Sequence, residues 1–506
     1  MRDKSFPVSS RGERRRAARC KPVNREQLLL RSVDVEKLVE EDHPVRAIWE
    51  LVDRADLESF YEQIEAVEGE AGCSAWDPRV LISLWIYAYS RAVSSGREIA
   101  RRCEYDPAYQ WLTGLEVINH HTLSDFRVQH GQALDELFVQ VLGVLSHEGL
   151  VTLERVMHDG VKVEAGASDK SFRRQETLER HLETARQVVE EMKEAGLEEV
   201  SERVAKARER AGRERKERLE LAWRELQHMQ AVQSDPEKRQ KARVSTTDPE
   251  ARIMQQPGGG FAPGYNVQIS TDAKATVIVG MGVTQAANDA AELIPAVERI
   301  EANLGQVPEQ MVVDGSFINH QNLVGMESRE IEVIGPVPDH STQTLAAMEK
   351  RGVTSEFFPQ AFRYDAERNV YVCPVGRDLA FESREKSEGS SRYRYRAKLA
   401  DCQSCPAKGK CCPQSQRRSL VRTEESPEVR RHREKMASES AREIYKQRSQ
   451  VAEFPNAWIK EKFGLRQFRL RGLIKVRIEA LWACLTYNIC QWIRLCWKPK
   501  KVLVGA

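Results

Sequence analysis

The sequence predicts a mixed α/β core with an all-α N-terminal domain, a long helical insertion and a small cysteine-rich module. Three observations predict it. Apolar residues recur at three- and four-residue spacing from His43 to about Leu150, the period of helices packed on one face. Short β-branched runs then alternate with amphipathic helices between residues 245 and 337, the order of a mixed sheet flanked by helices. Cysteines gather within residues 364–424. A chain of 506 residues has room for two to four such units.

Residues 1–40 read as a basic arm, in which GERRRAARCK either lies along phosphates or is a solvated tail. Residues 41–150 form the helical domain, with VRAIWELV, SFYEQIEAV, PRVLISLWIYAYS and ALDELFVQVLGVLSHEG as its helices. Thr122 and Asp125 form a capping box opening a short helix with Arg127 and His130. Two short helices around a turn, the second basic, suit either a helix-turn-helix DNA reader or a plain bundle. LERVMHDGVKVEAGAS is a strand, with Asp159 at its end and Gly160 turning the chain. It opens a core at 151–363 that is interrupted by a charged helical insertion at 170–246. Apolar positions Leu178, Leu182, Val188, Val189, Met192, Leu197, Val200 and Val204 suit a helical hairpin or coiled coil there.

VQIS and ATVIVGMGV form a hairpin, AAELIPAVERIEANLG a helix ending at Gly305, and QMVVDGSF a short strand ending at Asp314. IEVIGPV is another strand, and the cysteine-rich module at 364–424 follows. Residues 425–497 return to helix, ending in the apolar GLIKVRIEALWACLTYNICQWIRL, and 498–506 is a basic tail.

A net charge of +2 conceals strongly basic ends, which favour nucleic acid over an acidic small molecule as partner. The N-terminus lacks a signal peptide's apolar core, and no apolar run is long enough to span a bilayer. A cytoplasmic location is expected, with the eleven cysteines as thiols or metal ligands rather than disulfides.

Three carboxylates stand out. Asp159 and Asp314 end strands, and Glu453 lies in the helical stretch REIYKQRSQVAEFPNAWIKEKFGLRQFRLRG, residues 442–472. Pro455 fits the first turn of a helix restarting near Glu453. Two strand-end aspartates and a helix-borne glutamate can converge at one sheet edge and hold two Mg²⁺ or Mn²⁺ about 3.5–4 Å apart, the clamp for in-line attack on a phosphodiester. Around them Arg469, Arg471, Lys475 and Arg477 supply phosphate affinity. Cys402, Cys405 and Cys411 with the distant Cys373 can close a structural zinc site, or can be reduced thiols.

Tyr445, Arg448, Glu453 and Lys460 resemble the tyrosine–arginine–glutamate–lysine motif of insertion-sequence DDE transposases, with four residues rather than three between Arg448 and Glu453. HDGVKVEAGAS, TDPEARIMQQPGGGFAPGYNVQISTDA, VTQAANDAAELIPAVERI, VVDGSFINHQNL and RSQVAEFPNAWIKEKFGLRQFRLRGLIKVRIEA resemble, in this order, the catalytic core of the 1182-type family. REIARRCEYDPAYQWLTG and HHTLSDFRVQHG resemble its N-terminal domain. The resemblance implies an RNase H-like core with Asp159, Asp314 and Glu453 as the metal triad, and Glu479 as the rival third acid. It further implies DNA contacts from Tyr445, Arg448 and Lys460, with Lys162 either joining them or a surface lysine; Arg127 is a contact candidate in the N-terminal domain. A similar cysteine cluster occurs in the family.

The expected activity is transposition: binding double-stranded terminal inverted repeats, metal-dependent cleavage, and joining to target DNA. A homodimer is expected, with 172–244 as candidate interface, in the bacterial cytoplasm and at the nucleoid when DNA-bound. The alternatives are a metal-dependent RNase H-like nuclease and a catalytically silent DNA-binding relative.

Overall fold

A computed structural model of the chain describes residues 32–65, 74–194, 202–256, 258–338, 341–387 and 390–499. Most of the basic arm, the end of the basic tail, Cys20, Cys73, Leu197 and Val200 lie outside the described residues.

Among the described residues, seven α-helices precede the first strand: α1 (Pro44–Arg54), α2 (Glu58–Tyr61), α3 (Pro78–Ser90), α4 (Gly96–Cys103), α5 (Pro107–Thr113), α6 (His120–Gln129) and α7 (Gly131–His147). Three of them start alike. Pro44, Pro78 and Pro107 stand at the first position, where a missing N–H costs nothing, and the preceding His43, Asp77 and Asp106 side chains each accept a backbone N–H two residues on. The expected capping box at Thr122 is corrected: Asn119 is the cap, its Oδ1 accepting from His121 N, and Thr122 and Asp125 lie inside α6. Asn119 provides the β-region backbone and side-chain acceptor that a cap needs, so the helix begins a turn earlier.

The main sheet then forms. β1 (Val156–Glu164) is followed by the two-residue strand β2 (Phe172–Arg173), α8 (Gln175–Glu194), α9 (Glu202–Val232), α10 (Pro236–Gln240) and β3 (Val244–Ser245), which pairs β2. α8 and α9 pack on each other through Leu178, Leu182 and Ala185 against Leu219, Ala222 and Leu226. Next come β4 (Arg252–Gln255), β5 (Phe261–Asp272), β6 (Val277–Thr284), α11 (Leu293–Leu304), β7 (Gln310–Val312), α12 (His320–Glu327) and β8 (Glu332–Ile334). The strand order is β4-β5-β1-β7-β8, with β6 also on β5. β1 is antiparallel to β5 and parallel to β7, and β7 is parallel to β8. α11 stops where expected, at Gly305 in the left-handed region (φ +68°).

One strand runs further than the sequence predicts. β1 does not stop at Asp159; β5 pairs it in unbroken register from Val156 opposite Asp272 to Glu164 opposite Gly264. Gly160 serves close approach and not a turn, since a Cβ there would lie 2.3 Å from Asp289 Oδ1.

A second sheet follows α13 (Ser341–Lys350). β9 (Arg363–Asp365), β10 (Val370–Val372), β11 (Asp378–Ser387), β12 (Ser390–Ala397) and β13 (Ser419–Glu425) form an antiparallel order β13-β12-β11-β10-β9, with α14 (Leu399–Gln403) and α15 (Lys408–Cys411) before the last strand. The chain closes with α16 (Pro427–Met436), α17 (Glu439–Lys446), α18 (Arg448–Ala457), a π-helical turn at Trp458–Lys462 and α19 (Leu473–Leu495).

α19 joins the N-terminal helices to the main sheet. It packs against α3, α6, α7 and β6 and is buried on nearly every side from Val476 to Trp492, as a helix at the centre of a core must be. Trp482 stacks on Tyr89, with ring planes 6° apart and centroids at 6.5 Å. Asn488 pairs with the backbone of β6 as another strand would: Ile278 N donates to its Oδ1 (2.9 Å) and its Nδ2 donates to Ile278 O (2.8 Å). One hydrophobic core therefore runs from the N-terminal helices through the sheet.

Candidate active site

Two aspartates face each other because two parallel strands diverge. β1 and β7 pair only at Val156 with Met311 and Met157 with Val312. Asp159 and Asp314 each lie two residues further on, at matching levels and on matching faces, since side chains repeat every second residue. Asp314 has left the strand and caps a 3-10 turn, its Oδ1 accepting from Ser316 N at 2.7 Å. Asp159 remains within β1, opposite Ile269 of β5.

α18 lies over this point, against β1 and β5. Its first residue, Arg448, donates from Nη2 to Asp159 Oδ1 at 2.9 Å, and the same nitrogen is 4.0 Å from Asp314 Oδ2. Two turns later Asn456 Nδ2 is 3.4 Å from Asp159 Oδ2. Lys460, in the π-helical turn, donates from Nζ to Lys162 O at 3.0 Å. Tyr445, half-buried at the end of α17, is within electrostatic reach of Arg448, Asp314 and Asp159. Burial pushes the Asp159 carboxyl up to about 6; Arg448 opposes this, while the charges of Asp314 and Asp289 add to it. The pair is short of positive charge.

Glu453 is on the same helix, angularly beyond Asn456 from Arg448, and its side chain is exposed. It makes no hydrogen bond or ion pair among the described residues. α18 also corrects the expected restart, since Pro455 lies inside the helix and not in its first turn. The π-helical turn that follows adjusts the backbone just beyond it. The rival acid Glu479 is committed elsewhere: fully buried, it accepts from Arg469 N (3.1 Å) and Leu470 N (2.9 Å).

The basic residues divide into two groups. Arg469 and Arg471 are exposed, with their Nε atoms on Ser94 Oγ (2.7 Å) and Gly166 O (3.0 Å). Arg127 is corrected as a DNA-contact candidate. It is 7% exposed, donates from Nη1 to Ser94 O at 2.8 Å, and stacks its guanidinium 4.9 Å from the Trp85 ring centroid. Its charge is spent inside the helical domain, facing Glu479.

A network that the sequence did not reveal borders the site. Asp289 accepts from Asn266 Nδ2 (2.6 Å), Gln268 Nε2 (2.7 Å) and Lys162 Nζ (3.1 Å to Oδ1, 3.2 Å to Oδ2). Gln268 Oε1 and Ser270 Oγ in turn bracket the buried His158 ring, each at 2.9 Å. Lys162 is thereby an internal ion-pair partner and not a surface lysine. The juxtaposition of Asn266 and Asp289 joins residues from a hairpin and the loop before α11, which sequence spacing does not link.

In the second sheet, Cys373, Cys402, Cys405, Cys411 and Cys412 line one cavity of about 20 Å³ with Arg418. Arg377 N donates to Cys373 Sγ (3.2 Å) and Arg418 N to Cys402 Sγ (3.4 Å), while burial pushes the Cys411 thiol up to about 12. Among the described residues, no three His, Cys, Asp or Glu side chains are grouped as metal ligands, here or at Asp159.

A half-buried Asp159 beside the more exposed Asp314, an arginine across them and a helix bringing further polar groups are the parts of a site for phosphodiester chemistry. Two family models match the chain: Transposase DDE domain over residues 372–493, and Transposase domain (DUF772) over residues 33–129. No curated protein matches it. The protein is thus a DNA-cleaving and strand-transferring enzyme of the DDE class, a class that depends on a divalent metal such as Mg²⁺ or Mn²⁺ and has an RNase H-like core. It is an insertion-sequence DDE transposase, in the pairing of models typical of the 1182-type family. The DDE match includes Arg448, Glu453 and Lys460 but stops short of Asp159 and Asp314. No helix among the described residues is long and apolar enough to cross a membrane.

Proposed function

We propose that Asp159, Asp314 and Glu453 hold the divalent cations of this transposase, and that it cuts and joins DNA at the terminal inverted repeats of its element. The observation carrying this reading is the facing of Asp159 and Asp314 across the Arg448 guanidinium, on the helix that also bears Glu453. The residues fit the group in their chemistry: all three are hard oxygen donors, the aspartate pair has one guanidinium between two carboxylates, and the exposed Glu453 is committed to no partner among the described residues. When bound, two such cations activate the attacking oxygen and stabilise the leaving one.

The chain's own residues supply the rest. Arg448, Lys460 and Tyr445 stand around the aspartates and would hold the phosphates flanking the cleaved bond, while Arg469 and Arg471 extend the basic surface. Lys460 is well placed for this: burial lowers its pKa, and an approaching phosphate would favour its charged form. The helical residues 41–150 would read the repeat, and the α8–α9 hairpin would pair two copies so that two ends are held together. Cys373, Cys402, Cys405 and Cys411 would hold a structural zinc in the module at 364–424. Two of these sulfurs already accept backbone N–H groups, the contacts that steady thiolate ligands.

The test is cleavage and strand transfer on duplexes containing the DNA that flanks the reading frame, with Mg²⁺ or Mn²⁺. Wild type should cut and join, while Asp159→Ala, Asp314→Ala and Glu453→Ala should bind and not cut. A Glu453→Ala protein that still cuts would move the third ligand elsewhere. Cutting without joining would favour the nuclease alternative.

A further inference from the structure

The Arg448 guanidinium occupies the gap in which the proposed reading puts a cation. Its Nη2 lies 2.9 Å from Asp159 Oδ1 and 4.0 Å from Asp314 Oδ2. A Mg²⁺ bridging the same two carboxylates needs oxygens at about 2.0–2.1 Å, so the carboxylates must draw in through the space that this nitrogen fills. Two positive groups a few ångströms apart would also repel strongly in so enclosed a place. Guanidinium and cation are therefore alternatives.

Arg448 is also built to leave. It is the first residue of α18, at a junction where Gln447 provides no side-chain cap. Its Nε is buried without a hydrogen-bond partner, so the planar fork is incompletely used, whereas a phosphate can take two parallel N–H bonds from it. Its side chain is 13% exposed, within electrostatic reach of the half-buried Tyr445.

We propose that Arg448 is an interlock between DNA and metal. In the DNA-free protein it neutralises Asp159 and Asp314 and keeps cations out; a DNA phosphate draws it away, and the vacated carboxylates then take the cation. DNA and metal binding thus reinforce each other, and by linkage the enhancement is equal in both directions. This inference rests on reading Asp159 and Asp314 as cation ligands.

The experiment measures Mn²⁺ binding to the full chain by the loss of the free-ion electron paramagnetic resonance signal. Wild type, Arg448→Gln, Asp159→Asn and the double variant are compared, each with and without a duplex from the flanking DNA. Arg448→Gln should bind Mn²⁺ about tenfold more tightly than wild type without DNA, within the usual range of coupling between sites. DNA should tighten Mn²⁺ binding to wild type by a similar factor and leave Arg448→Gln unchanged. Adding Asp159→Asn should abolish the gain. Equal or weaker Mn²⁺ binding by a folded Arg448→Gln overturns the interlock while leaving the triad standing. Mn²⁺ binding that survives Asp159→Asn overturns both. Should Arg448→Gln fail to give a cooperative melting curve, wild type alone decides: DNA affinity must rise with Mn²⁺ by the factor by which Mn²⁺ affinity rises with DNA, and an absence of coupling overturns the proposal.

Discussion

Asp159 and Asp289 are near neighbours on the two sides of Gly160, and both are largely buried, yet they are opposites in chemistry. Burial disfavours the Asp289 carboxylate, but the Asn266 amide, the Lys162 ammonium and the Gln268 amide overcome this and hold it below the usual carboxylate range. Asp159 has one full charge to help it and two carboxylates against it, and is left near 6. A buried acid whose lone pairs are all taken is a structural part. One left in deficit is open to a ligand.

The comparison is tested first by neutralising the deficient acid. Asp159→Asn should lower cleavage by about 10⁴-fold or more, as expected when a metal ligand of the reacting centre is lost. Its melting temperature should hold or rise, because a repulsive charge is gone. Asp289→Ala should do the reverse. It strands the buried Lys162 ammonium and should cost about 3–5 kcal/mol in urea unfolding, and an unchanged unfolding midpoint would contradict a structural role.

A smaller effect lies in pH. Burial pushes His158 down to about 3, so it contributes stability present above about pH 6.5, its unfolded value, and lost progressively as pH falls towards 3. Asp159 runs the other way: its folded pKa is raised, so its contribution is full below the unfolded value near 4 and is lost as pH rises through about 6. Between roughly pH 4 and 6 the two slopes oppose. Asp159→Asn should therefore steepen the loss of stability on acidification by about 1.4 kcal/mol per pH unit relative to wild type, measured by denaturant unfolding across that window. Smallest of all, Glu453→Gln should change stability by less than about 0.5 kcal/mol, as an exposed, unpartnered side chain must, while removing cleavage. A stability loss well above that value would mean that Glu453 is a fold residue.

Much of the frame was legible because it is local. The periodicity of 43–150, the hairpin before α11, the Gly305 stop, the short strand leading to Asp314 and the apolar run of α19 each declare themselves within a few residues. What failed depended on distant partners. Gly160 resembles a turn until Asp289, far along the chain, claims the space over it. Arg127 resembles a surface cation until Trp85 and Ser94 are placed beside it. Lys162 and Asp289 have no sequence relation that marks them as a pair. Within the candidate site, Asp314 and the helix carrying Arg448 and Glu453, with Lys460 in the turn beyond it, were legible through the resemblance of their order and spacing to a transposase motif. Asn456 could have been suspected, since it falls three residues after Glu453 and four before Lys460.

The order in which the chain is made gives α19 a significance in time. Asp159 and its partner Arg448 are 289 residues apart, which a ribosome adding about 5–20 residues per second takes roughly 15–60 s to span. During that interval the two aspartates have no counter-ion from α18, and the faces of α3, α7 and β6 await a helix still unmade. The proposed site therefore waits for α18, and the core for α19. A reading-frame slip or early stop anywhere before Leu473 leaves a chain without its central helix, so a damaged copy of the element encodes an unfinished fold and not a partial nuclease.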